Sequence, residues 1–204
     1  MLQKNDPDYS IDITVVKDDI TTREVYAIVN AAHEHLTGGG GVDGAIHAEA
    51  WQKLLGESLE LYGCSEGEAR ITNGYDLPAK YIIHIVGPVW TSDKDRQEIA
   101  KENLANCYIN CLEFAEKQGL KSIAFPCIST GAYCFPKDLA AKIAIKTIYQ
   151  WFHDYVWHTK NIEGCYLSII EIVCFTDKDI EVYRNAICDE ECRRGEAKNE
   201  SDSN

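Results

Sequence analysis

The sequence predicts an α/β domain with a mainly parallel sheet covered by helices on both faces. Two observations lead there. Short β-branched runs alternate along the chain with longer stretches of helical period, the pattern of strand–helix–strand crossovers. Two loops rich in small residues each follow a strand run and precede a helical one. In such sheets, loops of that kind lie outside the strand C-terminal ends, where ligands bind.

Taken in order, Met1–Ser10 is polar, lacks the apolar stretch of a secretory signal and reads as an N-terminal arm. The domain is expected over residues 11–188. Ile11–Val16 alternates as a strand and Val25–Val29 reads as a more buried one. A helical pattern runs from about Val42 to Leu61 and breaks at Gly63–Gly67. Strands are predicted near Ala69–Asn73 and Tyr81–Val86, the second closed by Gly87-Pro88. A helix follows over about Asp95–Lys117, stopped by Gly119. Ser122–Phe125 is a short apolar strand ending at Pro126, and Lys137–Phe152 is helical with Ala140, Ala141, Ala144, Ile145 and Ile148 on one face. Tyr166–Phe175 is a strongly apolar strand and Asp177–Ala186 a last helix. From Asp189 to Asn204 the chain carries six acids against three bases without an apolar period, so a frayed or disordered tail is expected. Trp51, Trp90, Trp151 and Trp157 are read as packing residues.

At 204 residues the chain is expected to form one domain and to be a monomer. A formal charge of −13 argues against binding a nucleic-acid polymer, which needs a basic face. No stretch approaches membrane-spanning length, so no membrane partner is expected. The nine cysteines are odd in number and irregular in spacing, without paired CxxC motifs. Reduced thiols in the cytoplasm are expected, or in the nucleus of a eukaryotic cell, with no structural metal.

The chemistry concentrates in Val29–His47. A β-branched run stops at Asn30, and Gly38, Gly39, Gly40 and Gly41 lead into a helix. Consecutive glycines let backbone N–H groups converge on a ligand, and the helix N-terminus beside them adds a positive dipole end. The loop holds no Lys or Arg, so a bound phosphate rests on backbone dipoles alone. Asp43 stands at the mouth of that helix, with His47 one turn behind on the same face. Plainer readings stand beside this one. Asp43 alone is also what a helix N-terminus favours, His47 and Phe175 also fit simple packing, and His84 reads as a core histidine. Gly39-x-Gly41-x-x-Gly44 formally matches a dinucleotide fingerprint, but eight residues separate Asn30 from Gly39, and no acid ends a second strand at the required distance.

The ordered set Asp19-Ile20-Thr21, Val29–Ala32, Gly38–His47, Gly67–Tyr75, Leu77–Tyr81, Ile83-His84 with Val86–Pro88, and Phe125–Pro136 resembles the macrodomain family, in the class that hydrolyses protein-linked mono-ADP-ribose. The resemblance implies a three-layer α/β/α sandwich with ADP-ribose in a cleft over the sheet and no cofactor. It implies that Asp19 accepts from the adenine amino group, with Ile20 beside the ring and Phe175 packed on it. Ser129, Thr130, Gly131, Ala132 and Tyr133 wrap the diphosphate. Gly39, Gly40, Gly41 and Val42 line the phosphate and distal ribose, with Asn30 and His33 close by. Asp43 is the implied catalytic residue, supported by His47. The implied substrates are mono-ADP-ribosylated proteins, through Glu or Asp esters, and O-acetyl-ADP-ribose. A module that binds ADP-ribose without cleaving it is the alternative.

Two residues depart from the family pattern. His33 stands where a second asparagine is usual, and a ring nitrogen cannot present an amide's paired donor and acceptor. Cys134 stands where glycine is common.

Overall fold

The computed structural model describes residues 11–159 and 166–202, so the arm expected over residues 1–10 lies outside the described residues. Six strands form one sheet: β1 (Asp12–Lys17), β2 (Ala27–Ala31), β3 (Ala69–Asn73), β4 (Tyr81–Ile85), β5 (Ser122–Pro126) and β6 (Ile169–Cys174). Their spatial order is β1-β6-β5-β2-β4-β3. Every neighbouring pair is parallel except β3, which runs antiparallel to β4 on the edge. The expected mainly parallel, mixed sheet is therefore what forms.

Four helices cover it: α1 (Gly41–Glu60), α2 (Lys94–Lys117), α3 (Lys137–Thr159) and α4 (Asp177–Asp202). The alternation within each strand sets the layers. Val29, Ile83, Ile123 and Ile172 point into a core shared with α2, α3 and α4. Ile28, Ile82, Ala124 and Val173 point the other way, onto Ile46, Ala50 and Leu54 of α1. The sandwich thus has three helices on one face and one on the other. Trp90 packs on Phe135 and Trp151 on Phe152, while the side chains of Trp51 and Trp157 lie outside those described.

The largest difference from the sequence reading lies at the C-terminal end. α4 does not stop at Ala186; it continues through Asp189 to Asp202. Three of the acids that look like a solvated tail in sequence find partners, two of them on α3. Tyr149 Oη donates to Glu191 at 3.0 Å, Lys142 lies 3.8 Å from Asp189, and the buried Glu190 pairs with Arg193.

Candidate ADP-ribose site at the strand C-terminal edge

The parallel strands place the implied site residues at one edge. β5 and β2 are neighbours in the middle of the sheet, so the loops leaving them emerge side by side. One carries Ser129–Tyr133 and the other His33–Gly40. Asp19 follows β1 and Phe175 follows β6, on one side of that pair. From β1 to β2 is three strand spacings, roughly 14 Å. That suits an elongated ligand laid across the edge better than a lone phosphate.

The glycine loop ends on an open helix terminus. Gly40 is the N-cap of α1 and offers no side-chain cap, whereas Asp93 caps α2 through the Asp95 and Arg96 N–H groups. The first N–H groups of α1 are thus left to an anion. A Cβ on Gly40 or Gly41 would meet nothing within 4 Å, so space stands open before this terminus. The loop is held from behind: a Cβ at Gly44 would lie 2.6 Å from the Gly39 carbonyl oxygen, and one at Gly38 would meet the His47 ring at 3.2 Å. Gly44 and Gly38 are packing requirements of the loop.

Asp43, 3 % exposed, sits in the first turn of α1. Its Oδ1 accepts from Asn30 Nδ2 at 2.8 Å and from His47 Nδ1 at 3.1 Å. Its Oδ2 is buried and has no hydrogen-bond partner among the described residues. Burial works to raise the Asp43 pKa, but the His47 and Asn30 hydrogen bonds outweigh it and hold the carboxyl below its ordinary value. The same hydrogen bond to Asp43 raises the His47 pKa against the opposing effect of burial, with the Asp43 and Leu36 backbone adding to the rise. His47 therefore braces Asp43 from the side of the glycine loop, consistent with a supporting role.

The second loop carries strain of its own. Ser129 has φ +62° and is buried, its Oγ without a protein partner. Thr130 folds back through its N–H and Oγ1 onto the Cys127 carbonyl. Tyr133 is half-buried, its carbonyl accepting from Trp90 N–H at 2.9 Å. Its pKa is raised, first by burial and then by the charges of Glu34, Asp43 and Glu66. In sequence Gly87 closes a strand and belongs to the family set, but a Cβ there would also meet Ser129 Oγ at 2.3 Å. That dependence was missed because it joins loops far apart in sequence. Gly131 and Ala132 are exposed, and the position of a Gly131 Cβ is open.

Cys134 has φ +55°, a conformation glycine adopts freely and other residues adopt at about 1–2 kcal/mol. The glycine common at this position is thus what the backbone asks for. Cys134→Gly is expected to stabilise the fold by up to about 1 kcal/mol, once glycine's greater unfolded-chain entropy is set against the relieved strain. Denaturant midpoints of the two proteins measure it.

At the far end, Asp19 caps a 3-10 turn over Ile20–Thr22, its Oδ1 accepting from Thr21 N and Oγ1 at 2.9 and 2.8 Å. Oδ2 lies outside those two bonds. Ile20 is 5 % exposed and packs in the α1-side core. Phe175 is 87 % exposed. It does not close the core and stands free to cover a planar group. His33 is exposed on the rim, its Nδ1 turned toward the His35 N–H at 3.4 Å. Val42 is half-buried and leans on the α1-side core.

Residues 29–144 match the family model described as the Macro domain. The chain belongs to the Macro domain family. This macrodomain is 43% identical over 192 residues to the human ADP-ribose glycohydrolase MACROD2, covering 94% of this chain and 45% of that protein. It therefore spans less than half the length of that relative. It is 47% identical to the macro domain-containing protein CT2219 of Chlorobaculum tepidum, over 86% of this chain and 95% of that one. Among solved structures, the Trypanosoma brucei macrodomain in complex with ADP-ribose matches with a TM-score of 0.75 and 36% identity, over 86% of this chain and 68% of that chain. The Oceanobacillus iheyensis macrodomain with ADP matches at 0.74 and 38%, over 85% and 88%.

One group in this macrodomain ties the site to stability. His84 is fully buried, and burial pushes its pKa down to about 4. An unfolded histidine takes up a proton near pH 6.5, which folded His84 refuses until about pH 4. Its contribution is complete above pH 6.5 and is lost as pH falls toward 4. Between pH 7 and 4.5 the loss is roughly 2–3 kcal/mol. The His47 contribution, from a raised pKa, still grows between pH 7 and 6.5 and is complete below that, and that of Asp43 fails only at lower pH. Denaturant unfolding at both pH values should show this slope in the wild type and lose most of it in His84→Asn.

Proposed function

We propose that this macrodomain binds ADP-ribose along the described edge and hydrolyses the ester joining its distal ribose to protein Glu or Asp side chains. Deacetylation of O-acetyl-ADP-ribose belongs to the same reading, since it breaks an ester at the same sugar. The observation that carries it is Asp43: a buried carboxylate with one oxygen clamped and the other without a protein partner, beside an uncapped helix N-terminus. Such an oxygen can hold and aim a water. A carboxylate with a lowered pKa is a weak base, so its main work is alignment and stabilisation of charge in the transition state. Proton removal is shared with a substrate phosphate oxygen. The N–H groups of the glycine loop and of Gly131–Tyr133 supply the remaining electrostatic stabilisation. The name of the human relative, an ADP-ribose glycohydrolase, supports this reading.

We place the protein in the cytoplasm, or the nucleus of a eukaryotic cell, as a monomer acting on mono-ADP-ribosylated proteins. The second reading, binding without turnover, is favoured by His33, whose ring is exposed and turned toward its own loop. Release of free ADP-ribose from a protein mono-ADP-ribosylated on carboxylates separates the two, with wild type and Asp43→Ala side by side. Release by the wild type alone supports hydrolysis dependent on Asp43. Binding of ADP-ribose with no release by either protein leaves the reader.

A further inference from the structure

We infer that His84 is a positioning residue which, with Thr72 behind it, sets the plane of the Asn30 amide and through it the stance of Asp43. The inference rests on the proposed function above for its catalytic consequence, but its geometry stands apart from it. His84 in β4 lies directly opposite Asn30 in β2, on the sheet face that α1 covers. Asn30 Nδ2 spends one hydrogen on Asp43 Oδ1 at 2.8 Å and directs the other at His84 Nδ1, 3.0 Å away. To accept there, the ring must carry its proton on Nε2, and Thr72 Oγ1 stands 2.9 Å from that atom to receive it.

One hydrogen bond fixes where the amide nitrogen sits. Two from the same nitrogen also fix the plane of the group. The Asn30 carbonyl oxygen is then left buried without a partner among the described residues, free to accept from a ligand hydroxyl. A protonated His84 would set N–H against N–H here, and burial keeps the ring neutral near physiological pH. The polar row therefore runs from β3 through β4 and β2 into α1.

Kinetics and side-chain amide NMR on His84→Leu, His84→Asn and Thr72→Val test this. The Asn30 amide signals are assigned by their loss in Asn30→Ala. His84→Leu is expected to lower kcat by about 10–100-fold with KM changed less than about threefold, and to expose the Asn30 amide protons to solvent exchange. His84→Asn, whose Oδ1 replaces the Nδ1 acceptor, is expected to recover most of kcat and the protection. Thr72→Val keeps the shape of the site and should fall between them; it decides the matter if His84→Leu does not fold. Turnover within twofold of wild type in His84→Leu, or His84→Asn as impaired as His84→Leu, would overturn the inference. If the wild type releases no ADP-ribose, only the functional reading fails. The amide protons then decide: faster exchange in His84→Leu than in wild type and His84→Asn supports the inference, and unchanged protection there overturns it.

Discussion

Asp43→Asn is expected to reduce ADP-ribose release by about 10²–10³-fold while changing ADP-ribose affinity by less than about threefold. The substitution keeps the size of the side chain and an oxygen that can still accept from Asn30 Nδ2. What disappears is the charge, which is the part assigned to the transition state. Removing an interaction made only there lowers kcat and leaves ground-state binding alone. A second readout is independent of turnover. The His47 pKa is raised chiefly by its hydrogen bond to the Asp43 carboxylate, so an imidazole titration should show it fall in the variant. A variant retaining more than about a tenth of wild-type turnover would move the chemistry off Asp43.

Gly131→Glu is expected to leave the melting temperature within about 2 °C and to weaken ADP-ribose binding by 100-fold or more. Gly131 is exposed, has no left-handed φ, and its Cβ would meet nothing within 4 Å. The fold has no reason to resist a side chain there. A diphosphate wrapped by Ser129–Tyr133 does, because the new group takes its space and brings a like charge to it. Calorimetric titration with ADP-ribose, beside a thermal scan, checks both halves. Unimpaired binding would place the diphosphate elsewhere.

Much of this site is legible in the sequence because its signals are local. Four glycines before a helix, an acid in the first turn and a histidine four residues on need no tertiary knowledge. The strands are legible for the same reason, since alternation reports burial. What sequence leaves hidden depends on register. His84 reads correctly as a buried histidine with satisfied bonds. Its link to Asn30 exists only because β4 lies beside β2 with those residues opposed. Gly87 reads as a terminator, and its obligation to Ser129 appears only when two loops meet. The helical extension past Asp189 is hidden differently, because Asp189 and Glu191 find their partners on α3. Cys134 is the converse case: its sequence oddity becomes intelligible once its φ is known.

The two ligand loops, residues 33–43 and 127–136, contain no lysine or arginine, and the whole chain carries −13. Peptide dipoles act over a shorter range than ions, so they grip an anion already in place and do little to draw one in. At a distance, an incoming diphosphate meets net repulsion. Capture should therefore be slow relative to cation-built phosphate sites, and tight binding must come from slow escape. Added salt screens the repulsion. It is then expected to quicken association and leave dissociation nearly unchanged, the reverse of the salt response of a site that attracts its ligand with fixed positive charge.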